Sequence, residues 1–151
     1  MEQYFQQHLA RIDRLMTIIE ANNPYESSLN GLSFYDIVIF ACQSMWHLKD
    51  WILNDKNFGA ADIDALTREI HAEPCLLLCS DIANGSKHFL LKHPKIAGGF
   101  KQRKGFMLDS RKSVLQELYY IFYTDLEGNS HQVEIRHLLR KCRDFWNKII
   151  D

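Results

Sequence analysis

Between Phe34 and Leu53 the chain has no continuous polar face. Wound at 3.6 residues per turn, its apolar side chains surround the axis almost completely. A helix of that kind has to be covered on every side, so the segment is the centre around which the other elements pack. Ser33 with Asp36 three residues on resembles a capping box, with Asp in place of Glu, and marks its start. Asn54-Asp55-Lys56-Asn57, followed by Gly59, marks its end.

The covering elements follow from the same periodicity. Over residues 3–21, Phe5, Leu9, Ile12, Leu15, Met16 and Ile19 recur at spacings of three and four, one apolar stripe on a helix that stops at Asn22-Asn23-Pro24. A short helix from about Ala61 to His71 presents Ile63, Leu66 and Ile70. Pro74 suits the first turn of a fourth helix, which reaches about Lys92 and ends before Pro94. Gly85 inside it costs about 1 kcal/mol relative to Ala and marks a break, or a close approach of backbone or ligand. After Gly98-Gly99 the period changes. Gly105–Leu108 and Leu115–Thr124 are rich in aromatic and branched residues that suit strands, and Asp125–Asn129 reads as a hairpin turn with residues 130–133 pairing back. A last helix from about Glu134 to Ile150 buries Ile135, Leu138, Leu139, Cys142, Phe145, Trp146 and Ile149.

The predicted fold is therefore mainly α, with four to five helices in all: a helical bundle over 1–93, a small antiparallel β-hairpin or sheet over 99–133 and a closing helix over 134–150, in one domain spanning 1–151. A chain of 151 residues with 46% hydrophobic residues can bury a full core. Its formal net charge of -1 lacks the basic excess of a general nucleic-acid or membrane-surface binder. No apolar run approaches the roughly 18 residues of a membrane span, and the N-terminal residues form no apolar signal region, so the expected location is cytoplasmic, with no membrane partner. Cys42, Cys75, Cys79 and Cys142 are then expected as free thiols.

Two stretches carry polar groups where packing demands apolar ones. One is Trp46-His47-Leu48-Lys49-Asp50-Trp51 on the central helix; the other is Asp81-Ile82-Ala83-Asn84-Gly85-Ser86-Lys87-His88 on the fourth. Asp81, Asn84, Gly85 and His88 fall in one stripe, and His47 and Asp50 are neighbours at i and i+3. Buried polar groups are costly unless paired. If the two helices pack, His47, Asp50, Asp81, Asn84 and His88 form a shared network. One reading is that this network only sets helix register. Another is a pocket for an anion, a nucleotide or a scissile phosphate, in which Lys49 and Lys87 supply charge and a histidine transfers protons. A third is a metal site. The second reading assigns catalytic roles to His88, His47 and Lys87 and ligand-binding roles to Lys49, Asp50, Asp81 and Asn84, with no metal and no cofactor.

Ala83-Asn84-Gly85-Ser86-Lys87-His88 resembles a degenerate form of the HEPN motif, R-N-x-x-x-H, on a late helix of a helical bundle. Asn84 and His88 match the Asn and His of that pattern; Ala83 stands where the family carries Arg. The resemblance covers the first 93 residues in helix order and one short motif in residues. It implies either a metal-independent endoribonuclease with His88 as the proton-transfer group, or a non-catalytic module that binds RNA, a nucleotide or a protein partner. It also implies a homodimer and a role of the toxin–antitoxin or defence type. An Arg would stabilise phosphate charge, so its replacement favours the non-catalytic form. The two polar stretches also resemble those of a group of small bacterial proteins, a likeness that implies no function.

Other signals read more simply. Cys75, Cys79 and His71 lack a fourth ligand and a zinc-type spacing, and fit buried structural thiols better. Trp46, Trp51 and Trp146 are expected in the core. His93, Lys95, Lys101, Arg103, Lys104, Arg111 and Lys112 read as a solvated basic loop, or as phosphate contacts.

Overall fold

In a computed structural model of the chain, residues 4–21, 32–85, 94–95, 97–109 and 114–151 are described. They form α1 (Tyr4–Ala21), α2 (Phe34–Asn54), α3 (Ile63–Ala72), α4 (Pro74–Gly85), β1 (Ala97–Asp109), β2 (Val114–Asp125), β3 (Ser130–Glu134) and α5 (Ile135–Ile150). The fold is mainly α with a small antiparallel sheet near the C-terminal end, as the periodicity predicts.

α2 is the central element. It packs against α1, α3, α4 and α5, and Val38, Ala41, Cys42, Met45, Leu48 and Ile52 along it are fully buried. Its start is fixed by the capping box: the Ser33 side chain accepts from the Asp36 N–H at 3.2 Å, and the Ser33 N–H donates to the Asp36 carboxylate at 2.9 Å. The Ser33 hydroxyl also donates to that carboxylate at 2.8 Å, and this bond first, then the one from the Ser33 N–H, holds the Asp36 carboxyl below the usual carboxylate range. A cap of this kind contributes about 1 kcal/mol. α5 is tied to α2 by the buried Trp146, whose indole N–H donates to the Met45 carbonyl at 3.1 Å. It is tied to α1 by paired contacts of Arg140 with Glu20 and of Arg143 with Asp13. Exposed pairs of this kind orient helices more than they stabilise them.

The sheet is a meander in the order β1-β2-β3, all antiparallel. Tyr119 and Ile121 of β2 join the same core cluster as the helices. The β2–β3 turn is built on Asp125, whose carboxylate accepts from the N–H groups of Glu127 at 2.9 Å and Asn129 at 2.8 Å and pairs with His131 at 2.7 Å. Gly128 takes the left-handed conformation there, with φ +91.

Several residues depart from the expected pattern. Lys101, Arg103 and Lys104 belong to strand β1, opposite Phe122, Tyr120 and Tyr119 of β2, and not to a solvated loop. Backbone pairing along the hairpin outweighs the polar composition of that segment. Ile63 is 42% exposed, because it is the first residue of α3 and lies at the rim of that helix's contact face. Trp51 is also 42% exposed, near the C-terminal end of α2, where it stacks on His8 at 5.4 Å instead of entering the core. His8 occupies the buried stripe of α1 one turn after Phe5. Its Nε2–H donates to the Ser44 carbonyl at 3.0 Å, and burial lowers its pKa, so the neutral ring is favoured inside.

All four cysteines are free and buried. Cys79 and Cys142 lie 3.6 Å apart, sulfur to sulfur. Hydrogen bonding to Cys142 and burial push the Cys75 and Cys79 thiols up. Among the described residues, no group of three or more His, Cys, Asp or Glu side chains is arranged to hold a metal ion, and no helix is long and apolar enough to cross a membrane.

Candidate functional site

The polar groups of α2 and α4 meet through a residue that neither helix carries. α4 packs on α2. The polar residues Ser80 and Asp81 are buried in α4, Asp81 to 1% exposure. The Asp81 carboxylate faces the returning chain. It accepts the Lys95 backbone N–H at 3.0 Å on each oxygen, which pins residue 95 beside α4. The Lys95 ammonium then donates to the Ser80 hydroxyl at 3.1 Å, and the Asn84 amide approaches that same hydroxyl at 3.5 Å.

Trp46 is the floor of this arrangement. It is 8% exposed, and three cation-forming side chains converge on its indole. Lys95 Nζ lies 3.5 Å from the ring centre, Lys49 Nζ lies 4.8 Å from it, and the His71 ring meets it edge-on at 5.4 Å. The indole face attracts cations through its quadrupole, so it can hold two lysines at positions where their own repulsion would otherwise drive them apart. That repulsion still registers. Burial lowers the Lys95 pKa most; Asp81 opposes this, and Lys49 lowers it further. Burial also lowers the His71 pKa, followed by Lys95 and then Lys49, with Asp50 opposing. His71, Asn84 and Lys95 are exposed, so the cluster opens to solvent above a buried aromatic base. The arrangement suits an anion with several oxygens: two ammonium groups, an amide and an imidazole lie within one neighbourhood.

Of the residues singled out from the sequence, Lys49, Asp81 and Asn84 belong to this cluster. Asp50 stands beside it as the ion-pair partner of Lys49. His47 lies elsewhere. It is exposed, and its charge bears on His8 of α1. Neighbouring positions on a helix point about 100° apart, so with Trp46 turned toward α3 and Lys95, His47 is carried off that face. Lys87 and His88 lie outside the described residues. Lys95, His71 and Trp46 were legible only as a loop cation, a discounted metal ligand and a core aromatic. No local spacing brings positions 46, 71 and 95 together, because they meet only when α3 and the segment after α4 fold back on α2.

Compared with known proteins, the chain matches no family model, and no curated protein or solved structure is significantly similar to it.

Proposed function

We propose that the protein is a non-catalytic, HEPN-like module that binds a phosphate-bearing ligand, a nucleotide or RNA, at the Lys49–His71–Lys95 cluster. The observation that carries this reading is the placement of both ammonium groups over one indole, beside an imidazole whose pKa those two cations help to lower. A phosphate would occupy the space where their fields add, and it would relieve the repulsion between the two ammonium groups. Asp81 and Ser80 act as positioning residues, since they hold the backbone and ammonium of Lys95 in place. Asn84 lies within reach as a neutral donor. A homodimer, or a protein partner of the toxin–antitoxin type, would add surface around the cluster without changing its chemistry.

The test uses fluorescence anisotropy with a short single-stranded RNA, with nucleoside mono- and triphosphates as competitors, in EDTA and at two salt concentrations. Saturable binding that weakens as salt rises is the expected result, since phosphate contacts release counterions. The same samples run on a gel read cleavage. Intact RNA is expected; metal-independent cleavage abolished by His88→Ala would instead establish the endoribonuclease alternative. Salt-insensitive binding, or none, would overturn the phosphate reading.

A further inference from the structure

Strand β2 carries aromatic residues on both faces of the sheet. Tyr119 and Ile121 are buried and join the helical core, so the alternating Tyr120 and Phe122 belong to the opposite face. Both are half-buried, and their ring centres lie 6.2 Å apart. An antiparallel sheet with one face on a core ordinarily turns polar side chains outward on the other. Here two adjacent rings stand at the centre of the outer face, because β2 is the middle strand.

The flanking strands set the charge around them. On one side the ladder puts Arg103 opposite Tyr120 and Lys101 opposite Phe122, and cross-strand partners share a face. On the other side it puts Glu134 opposite Tyr120 and the exposed Gln132 opposite Phe122. The Glu134 carboxylate is already engaged: Oε1 accepts from Arg136 at 3.2 Å, and Oε2 accepts the His137 N–H at 3.1 Å as the cap of α5. The two rows through the rings therefore hold two cationic residues, an amide, and one carboxylate neutralised by its own neighbour.

We infer that this face binds single-stranded RNA, with bases stacked on Tyr120 and Phe122 and the phosphates on the Lys101–Arg103 side. The inference rests on the phosphate reading in taking RNA as the ligand, and narrows it from a mononucleotide to an oligomer. Every base has a π-face, so stacking of this kind gives affinity without demanding a sequence. An acidic peptide would match the cations but leave the rings without a stacking partner, and a duplex keeps its bases stacked on one another. β1 also links the two sites. Lys101 follows Lys95 of the phosphate cluster by six residues, at most about 22 Å of extended chain, a distance suited to an oligomer.

The full chain is titrated with a labelled short oligouridylate, and with an oligomer of equal length that lacks bases. ATP, read by calorimetry, reports the phosphate cluster alone. The base-free oligomer should bind about tenfold or more weakly than the oligouridylate. Tyr120→Thr/Phe122→Thr should lose about a hundredfold for the oligouridylate, about tenfold per ring, and keep its affinity for ATP. Photocrosslinking of the unaltered protein to a 5-iodouridine oligomer needs no variant, and should place adducts within β2. The inference is overturned by equal binding of the base-free oligomer, by equal competition from poly-glutamate, by adducts confined to other segments, or by self-association that the threonine replacements abolish. ATP binding with oligouridylate affinity unchanged in the folded double variant would sink this inference and leave the phosphate cluster standing. Ring-dependent RNA binding without ATP binding would do the reverse.

Discussion

Trp146→Ala is expected to cost about 3–5 kcal/mol of folding stability, the range for removing a large aromatic side chain from a packed core. Trp146 is fully buried, lies edge-on to Phe145 at 5.3 Å and carries the hydrogen bond that joins α5 to the backbone of α2. Its loss opens a cavity between the closing helix and the central one, and partial collapse cannot refill it. Trp146→Phe keeps most of the volume and gives up the N–H, so it should cost less, with about 1 kcal/mol assigned to the hydrogen bond. Against a typical total of about 5–15 kcal/mol, the alanine variant should lower the melting temperature by roughly 10 °C or more. Urea unfolding of the three proteins measures this. Coincident midpoints for wild type and Trp146→Ala would mean that α5 is not part of the cooperative core.

The double variant Lys49→Ala/Lys95→Ala should lose about a hundredfold in affinity for RNA or nucleotide. Each ammonium-to-phosphate contact removed from a partly exposed site is worth about 1.4 kcal/mol or slightly more, a factor of ten each. Folding should change by only about 1 kcal/mol, because cation–π contacts and ion pairs near the surface contribute little. Asp81→Ala gives a complementary result. It removes no cation, yet it releases the backbone of Lys95, so affinity should fall while both lysines remain. Calorimetric titration with a nucleoside triphosphate reads all three proteins. A double variant within about threefold of wild type would remove the lysines from the binding account.

How far each feature can be read from the sequence depends on how local its cause is. The capping box at Ser33 and Asp36, the proline that opens α4 and the Asp125–Asn129 turn all rest on contacts within four residues, and the structure has each of them. The stripes of α1 and α5 are legible for the same reason, although Phe145 and Ile149 are only partly buried. His8 escaped that reading because a polar ring in an apolar stripe is tolerated only through the Ser44 carbonyl, 36 residues away in the chain. The extent of β1 escaped it because strand pairing, not hydropathy, organises Lys101–Lys104. The sequence also pointed to polar residues on α2 and α4 facing one another. Those helices pack, but Asp81 spends its carboxylate on residue 95, and the meeting point becomes Trp46. The partners of a buried carboxylate cannot be deduced from its own helix; only its need for partners can.

The lowered pKa of His71 provides the most direct test of the phosphate cluster. In the free protein the imidazole titrates below the usual histidine range because of burial and the two lysines. A bound phosphate supplies negative charge beside it, favours the imidazolium and must raise that pKa, so binding takes up a proton and strengthens as pH falls through the interval between the free and bound values. NMR titration of the His71 ring, with and without a saturating nucleoside triphosphate, measures both values. An upward shift on binding is the expected result; an unchanged His71 titration with ligand bound would place the phosphate elsewhere and contradict the account.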